Sequence, residues 1–249
     1  GTIKLLLKLK KKSLPDLSNQ LGKYIRTNNE TLVSVSTLDE DKNYSSGVAI
    51  GSILHTDDNT HVEMCRYREG SDAWKLVHFP YSPSNFFFKR IYKLIYAFFK
   101  NPRAYLKIYL KNGWAKKTTV LLFMQTIDST LTLQRNIFGI MSSRAKKGQK
   151  PSAFIPESLK LTALFAKKAN GKATSFAAET FLGIPSTAHI LGGAVMGENN
   201  NRGVIDKNNY VFGYKNMLIV DGSMISANPG VNPALSITAI AERAMSRIK

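Results

Sequence analysis

Two rhythms of apolar residues run along this chain, one with helical spacing and one alternating, and clusters of turn residues separate them. Residues 4–12 form a short basic amphipathic segment closed by Pro15. In LSNQLGKYIRTNNETLVSVS, Leu, Ile and Val alternate with small polar residues, which predicts a helix passing into a strand. GVAIGSILH and THVEMCRY are β-rich runs joined by Asp57-Asp58-Asn59, and they predict a hairpin. FFFKRIYKLIYAFFK places Phe88, Ile91, Ile95 and Phe98 on one helical face. Asn101-Pro102 caps the next helix and Asn112-Gly113 closes it.

TTVLLFMQTID and STLTLQRN predict two strands around Asp128-Ser129, and RAKKGQKPS reads as a basic flexible link. ESLKLTALFAKKANG is a helix ending at Gly171, residues 187–191 and 217–220 are strand-like, and a terminal helix runs from about Pro233 to Ile248. Strands and helices mix without a regular βαβ rhythm or a repeat, so the expected class is mixed α/β.

Composition adds a charge argument. Lys and Arg number 35 against 17 Asp and Glu, a net +18, which favours an anionic partner: an acidic membrane surface or nucleic acid. Between Asp72 and Asp128 there is no acidic residue, while lysines and arginines interleave with Phe, Tyr and Ile. A packed helix pair with a solvated basic face accounts for this; membrane contact is the second reading and nucleic acid a distant third. Cys65 is the only cysteine, which excludes an intrachain disulfide and fits a reducing, cytoplasmic setting with membrane association as an addition. No apolar run reaches the ~18 residues of a membrane span, and GTIKLLLKLKKKS is too interrupted by lysine for a signal-peptide core. His55 and His61 flank Asp57 and Asp58, but a hairpin with exposed polar tips explains them better than a metal site, and no metal is expected.

Two stretches carry candidate chemistry. In STAHILGGAVMG, His189 stands just before Leu191 and the pair Gly192-Gly193. In the second, the buried-strand run 217–220 ends at Asp221-Gly222, Asn228-Pro229-Gly230 turns the chain, and Asn232-Pro233 starts a helix with no early carboxylate at its positive end. Taken singly, each is compatible with ordinary packing or an ordinary strand–turn–helix.

In order, H-x-L-G-G-x-x-M-G, G-V-I-D, F-G-Y-K-N-M-L-I-V-D-G-S and N-P-G-V-N-P-A-L-S-I-T-A-I-A-E-R-A resemble the C-terminal signature of the glucose–methanol–choline (GMC) flavin oxidoreductases. GKYIRTNNE, SGVAIGSILHTDDNTHVE and YREGS resemble the cholesterol-oxidase-like branch. The resemblance is specific over about residues 187–249, weaker over 21–71, and general in between. It implies FAD as cofactor, an alcohol substrate of sterol-like type, His189 as active-site base and Asn232 as its amide partner. It also implies flavin contacts at Asp221, Gly222, Asn232 and Pro233. The chemistry suits these types. Neutral imidazole can receive a hydroxyl proton, an amide can orient the same oxygen without charge, and Gly-Gly would let backbone approach a flat ring. Relatives often have Pro and Cys where this chain has Ile190 and Ala194.

The family's G-x-G-x-x-G unit is absent from these residues, and its substrate-side carboxylate is not placed. The expectation is therefore a C-terminal portion of such an enzyme whose N-terminal FAD-binding half lies elsewhere. Residues 1–44 and 193–249 are expected to be pieces of the FAD domain around a substrate domain with a mixed or antiparallel sheet at 45–192. The contrasting expectation is a basic membrane- or nucleic-acid-binding module without catalysis.

Overall fold

The computed structural model describes residues 1–145 and 151–248. Most of the basic link, residues 146–150, lies outside the described residues. The chain divides into two compact units, one made of Gly1–Asn28, Thr126–Pro151 and Ala188–Lys249, the other of Asn29–Gln125 and Ser152–Thr187. These spans do not follow the expected borders at 44/45 and 192/193.

The second unit is built on a six-stranded sheet. Its strands are β1 (Thr31–Thr37), β2 (Ile50–Asp57), β3 (Thr60–Arg66), β4 (His78–Pro80), β5 (Thr118–Gln125) and β8 (Gly171–Phe176), in the order β2-β3-β5-β1-β8-β4. The β2–β3 hairpin forms as expected, with His55 opposite His61 and Asp57 opposite Thr60. Among the described residues every strand ladder is antiparallel, so the absence of a parallel βαβ unit extends from sequence to structure.

β1 reads TLVSVST and uses its alternation on two buried faces. Val33 and Val35 are buried, and Val35, Val62, Leu121 and Phe123 pack with Ile155 and with Leu161 and Phe165 of α5 (Pro156–Lys168). Ser34 and Ser36 point the other way and are satisfied by His78 Nε2 at 3.0 Å and Thr118 Oγ1 at 2.7 Å. α2 (Phe87–Lys100), α3 (Pro102–Leu110) and the short α4 (Trp114–Lys117) complete this unit, with Ile108, Trp114 and Ala115 in a smaller cluster with Leu38 and Tyr67.

The first unit holds α1 (Thr2–Leu9), the hairpin β6 (Leu131–Arg135)–β7 (Met141–Ala145) and α6 (Ala234–Met245), tied by long irregular segments. Ile3 and Leu6 of α1, Ile25, Leu191, Ile205, Ile219 and Met224 form its core, with Ile237 and Ile240 of α6 packed against it.

Several expectations are corrected. The helix expected to lead into β1 is absent: residues 14–22 are turns, and positive φ at Gly22 (82°), Tyr24 (58°) and Asn29 (46°) is incompatible with a helix. The two strands expected around Asp128-Ser129 do form, as β5 and β6, in different units, with β6 paired to β7. Arg144 and Ala145 of the expected link belong to β7. The runs at 187–191 and 217–220 make only isolated bridges, Leu191 with Arg26 and Leu218 with Tyr210. Of the face Phe88, Ile91, Ile95 and Phe98, only Ile91 and Phe98 turn inward; Phe88 and Ile95 are exposed. His61 is no exposed tip: it is buried on β3, 3.6 Å from Glu63, and burial pushes its pKa down although Glu63 opposes the shift.

Candidate active site

The site is assembled in the first unit from three separated segments. Leu191 and Arg26 exchange backbone hydrogen bonds of 2.9 and 2.8 Å, Gly22 N–H donates to Gly193 O, and Gly192 N–H donates to Gly222 O. The segment after His189 is thereby clamped between residues 22–26 and the Asp221-Gly222 turn. Gly192 (φ 75°) and Gly193 (φ 91°) are both left-handed. A Cβ on Gly192 would overlap the Tyr24 carbonyl oxygen, and one on Gly193 would overlap Ile25 and Ile3. The glycine pair is thus required by the chain's own packing.

His189 is half-buried. Its Nδ1 lies 3.4 Å from Nδ2 of Asn28, whose amide nitrogen also donates to Val231 O at 2.9 Å. Asn28 is fully buried. The Val231 carbonyl can only face an NH2 group, which fixes the orientation of the amide. The same NH2 then meets Nδ1 as a donor, and the neutral imidazole that fits carries its proton on Nε2. Asn28 therefore joins His189 to the residue preceding Asn232, so the His189 and Asn232 segments are held together through one side chain.

The Asn232 segment is itself pinned. Asn228 Nδ2 donates to Ile127 O at 2.9 Å, and Gly230 N–H donates to Asn228 Oδ1 at 2.8 Å. α6 begins one residue later than expected, with Pro233 at the cap position and its carbonyl accepting from Ile237 N–H at 2.9 Å. Asn232 is therefore not the cap, and the first turn carries no acidic residue.

Asp221 caps a short 3₁₀ turn, Gly222–Met224, by accepting from Ser223 N–H at 2.7 Å, and it also accepts from the Thr2 hydroxyl. Burial works against its charged form, yet the hydrogen bonds from Ser223 and Thr2 outweigh this and hold the carboxyl below its ordinary range. Its first duty is structural, and two accepted bonds still leave lone pairs for a ligand.

A cleft of about 520 Å³ opens beside it, lined by Thr2, Ile190, Gly192, Asp221 and Gly222 with Leu133 and Met141. That volume lies in the range of small-molecule sites. Ile237, in the first turn of α6, stands 3.4 Å from where a Cβ on Gly222 would be, so this helix start borders the same turn.

The family model described as GMC oxidoreductase matches residues 124–241. The chain contains a GMC oxidoreductase C-terminal domain. Over all of this chain, a cholesterol oxidase of Acinetobacter baumannii is 40% identical across 255 residues, with 45% of that protein covered. A cholesterol oxidase of Mycobacterium tuberculosis (strain CDC 1551 / Oshkosh) is 38% identical over 99% of the chain and 44% of its own length. The chain thus spans a little under half of the curated relatives it matches. Among solved structures, pyridoxine 4-oxidase from Mesorbium loti aligns with a TM-score of 0.52 at 13% identity, covering 92% of this chain and 44% of that one, a likeness of fold. The mixed α/β class with antiparallel sheets and helices is thus a fold shared with that structure.

Sequence reading passed over Asn28 and Thr2. Neither carries a spacing signal: Asn28 is 161 positions from His189, and Thr2 is 219 from Asp221.

Proposed function

We propose that this chain is the C-terminal part of an FAD-dependent oxidoreductase acting on the CH–OH group of a sterol-like alcohol, with His189 and Asn232 at the reacting oxygen. The observation that carries the reading is the Asn28 bridge, whose amide nitrogen contacts both His189 Nδ1 and the carbonyl of Val231, the residue before Asn232. Identity to cholesterol oxidases along the whole chain supports the alcohol class.

The cleft fits part of the cofactor. Glycine backbone at 192 and 222, the Thr2 hydroxyl and the Asp221 carboxylate suit a polyol chain, and Ile190, Leu133 and Met141 suit an apolar ring. Asp221, Gly222, Asn232 and Pro233 are the residues we assign to holding it. When bound, FAD supplies the acceptor for the carbon-bound hydrogen and its electron pair.

His189 handles the hydroxyl proton. Acting as base through Nε2 requires the tautomer with its proton on Nδ1 and the loss of the Asn28 contact, at about one hydrogen bond's worth of free energy. With that contact kept, His189 meets the alcohol oxygen as a donor. In the full-length protein, His189→Ala is expected to slow flavin reduction by an alcohol about 10²–10⁴-fold while flavin content stays near normal. Asp221→Ala is expected to do the reverse. His189→Gln separates the two roles: a donor role leaves it well above the alanine variant, a base role leaves the two alike. Normal flavin reduction in His189→Ala, read by absorbance under sterol alcohols, sinks the assignment.

A further inference from the structure

We infer that α2 is a membrane-docking helix whose outer face settles into the surface of an anionic bilayer. The inference goes beyond the proposed reaction and does not depend on which alcohol is oxidised. Phe88, Tyr92, Ile95, Tyr96 and Phe99 fall at i, i+4, i+7, i+8 and i+11, on one side of the helix. They face solvent: Phe88 is 84% exposed, Phe99 73% and Tyr92 68%. Scattered apolar residues on a surface are ordinary, but five contiguous ones expose on the order of 600 Å², at the top of what a monomer shows without a partner.

Within this chain the outer face is distinct from the face that packs inward. The opposite side carries Arg90, Ile91, Leu94, Ala97 and Phe98, all buried or half-buried. Arg90 is 4% exposed, and its guanidinium donates to Thr180 O at 2.9 Å, Ser84 O at 3.0 Å and Phe181 O at 3.4 Å. This fork fixes which side of α2 faces inward. The helix therefore presents its aromatic side as a rigid surface.

Charge and length select a bilayer as the occupant. Lys89, Lys93 and Lys100 form a single stripe along one flank of the apolar face, Lys93 with its Nζ donating to Pro83 O at 2.7 Å, and no acidic residue occurs between Asp72 and Asp128. Lys89 Nζ lies 5.1 Å from the centroid of the Phe86 ring and Lys100 Nζ 5.4 Å from that of Tyr96, so both ammonium groups sit over aromatic rings beside the apolar face. From such a flank lysine reaches lipid phosphates while its stem stays in the apolar layer. Fourteen residues make a rod of about 21 Å, short of the ~30 Å hydrocarbon thickness, and among the described residues no helix is long and apolar enough to cross a membrane. A short amphipathic helix of this kind lies in the interface plane. A convex ridge with lysines on one flank also differs from the groove of interleaved rings and cations that holds single-stranded nucleic acid. Lys107 is not part of the stripe: its Nζ is 2.8 Å from Glu40.

The test is cosedimentation of the full-length protein with vesicles of phosphatidylcholine alone or mixed with phosphatidylglycerol, all without sterol, so that failure here leaves the oxidation reading intact. Binding is expected to anionic vesicles, weakening as salt rises. The triple variant F88S/Y92S/F99S should lose at least tenfold in affinity with an unchanged melting temperature, and K89E/K93E/K100E should lose about fivefold per lysine. In a second measurement, the indole of Phe99→Trp should be quenched by brominated acyl chains. The proposal is overturned if wild type does not sediment, or if the triple variant binds like wild type. It is equally overturned if the substitutions lower the melting temperature of the full-length protein, which would make the remainder of that protein the occupant, if they dissolve a homo-oligomer without touching vesicle binding, which would make a second copy the occupant, or if they abolish oligonucleotide binding alone.

Discussion

At the scale of single residues, two positions control the site, one outside its signature and one within it. Asn28 is the first. Replacing it with alanine strands the Val231 carbonyl and removes the donor at His189 Nδ1. The expected cost is about 1–3 kcal/mol, read by denaturant unfolding, and nitrogen NMR of the imidazole should show the tautomer balance shifting away from Nε2–H. An unchanged imidazole spectrum would remove Asn28 from any positioning role. Gly192 is the second. Its φ of 75° and the Tyr24 carbonyl in the space of a Cβ make Gly192→Ala costly by two separate routes, conformation and overlap. Together they predict about 2–5 kcal/mol of lost stability, visible as a drop in melting temperature. His189, Asn232 and Asp221 stood out in sequence because they lie in an ordered pattern. Asn28 did not, because its partners are distant along the chain and a buried asparagine in RTNNE looks like any turn residue.

At the scale of elements, the π-helical turn Ala178–Leu182 carries a buried carboxyl, Glu179. Leu32 N–H and Ser186 N–H both donate to its Oε1 at 3.3 Å. Burial nonetheless lifts its pKa to about 7 from an ordinary 4.5, against the pull of those hydrogen bonds. Between these two values the folded protein holds a proton that the unfolded chain has released. Stability should therefore fall as pH rises through that window and level off above it, by roughly 3 kcal/mol at most. Glu179→Gln should flatten the profile, as measured by urea unfolding across the window; an identical slope in the variant would refute the assignment. The same turn is gripped by Arg90 through the Thr180 and Phe181 carbonyls, and Arg90→Met, which leaves these two and the Ser84 carbonyl without their donor, should loosen α2 by about 2–4 kcal/mol. Hydrogen exchange confined to residues 87–100 would show it.

The elements legible in sequence were those with local punctuation. The 50–66 hairpin has its Asp-Asp-Asn turn, α3 its Asn101-Pro102 start, and α5 its long helical period. β8 was not legible: GKATSF is short, scarcely apolar and directly follows a helix, and its neighbours β1 and β4 are remote in sequence. The outer face of α2 misled for the opposite reason, since helical spacing of apolar residues looks the same whether a face meets protein or lipid.

At the scale of the whole molecule, neither compact unit is a continuous stretch of chain; the path changes units after residues 28, 125, 151 and 187. Dividing the polypeptide between 125 and 126 would leave the first piece with β1, β2, β3, β4 and β5 but without β8, which pairs with both β1 and β4. The two fragments, expressed apart, are expected to show poorly cooperative unfolding and to regain native-like circular dichroism only when coexpressed. A fragment 1–125 that melts sharply alone would contradict this.

The same interleaving has a timetable. β1 sits between β5 and β8 in the finished sheet, yet β8 follows it by more than 130 residues. At the pace of a ribosome, that is a wait of roughly 10–30 s, during which one edge of Thr31–Thr37 is open to any other strand in the cell. Slow or crowded synthesis should therefore be the condition under which this protein is lost, long before its finished stability is called upon.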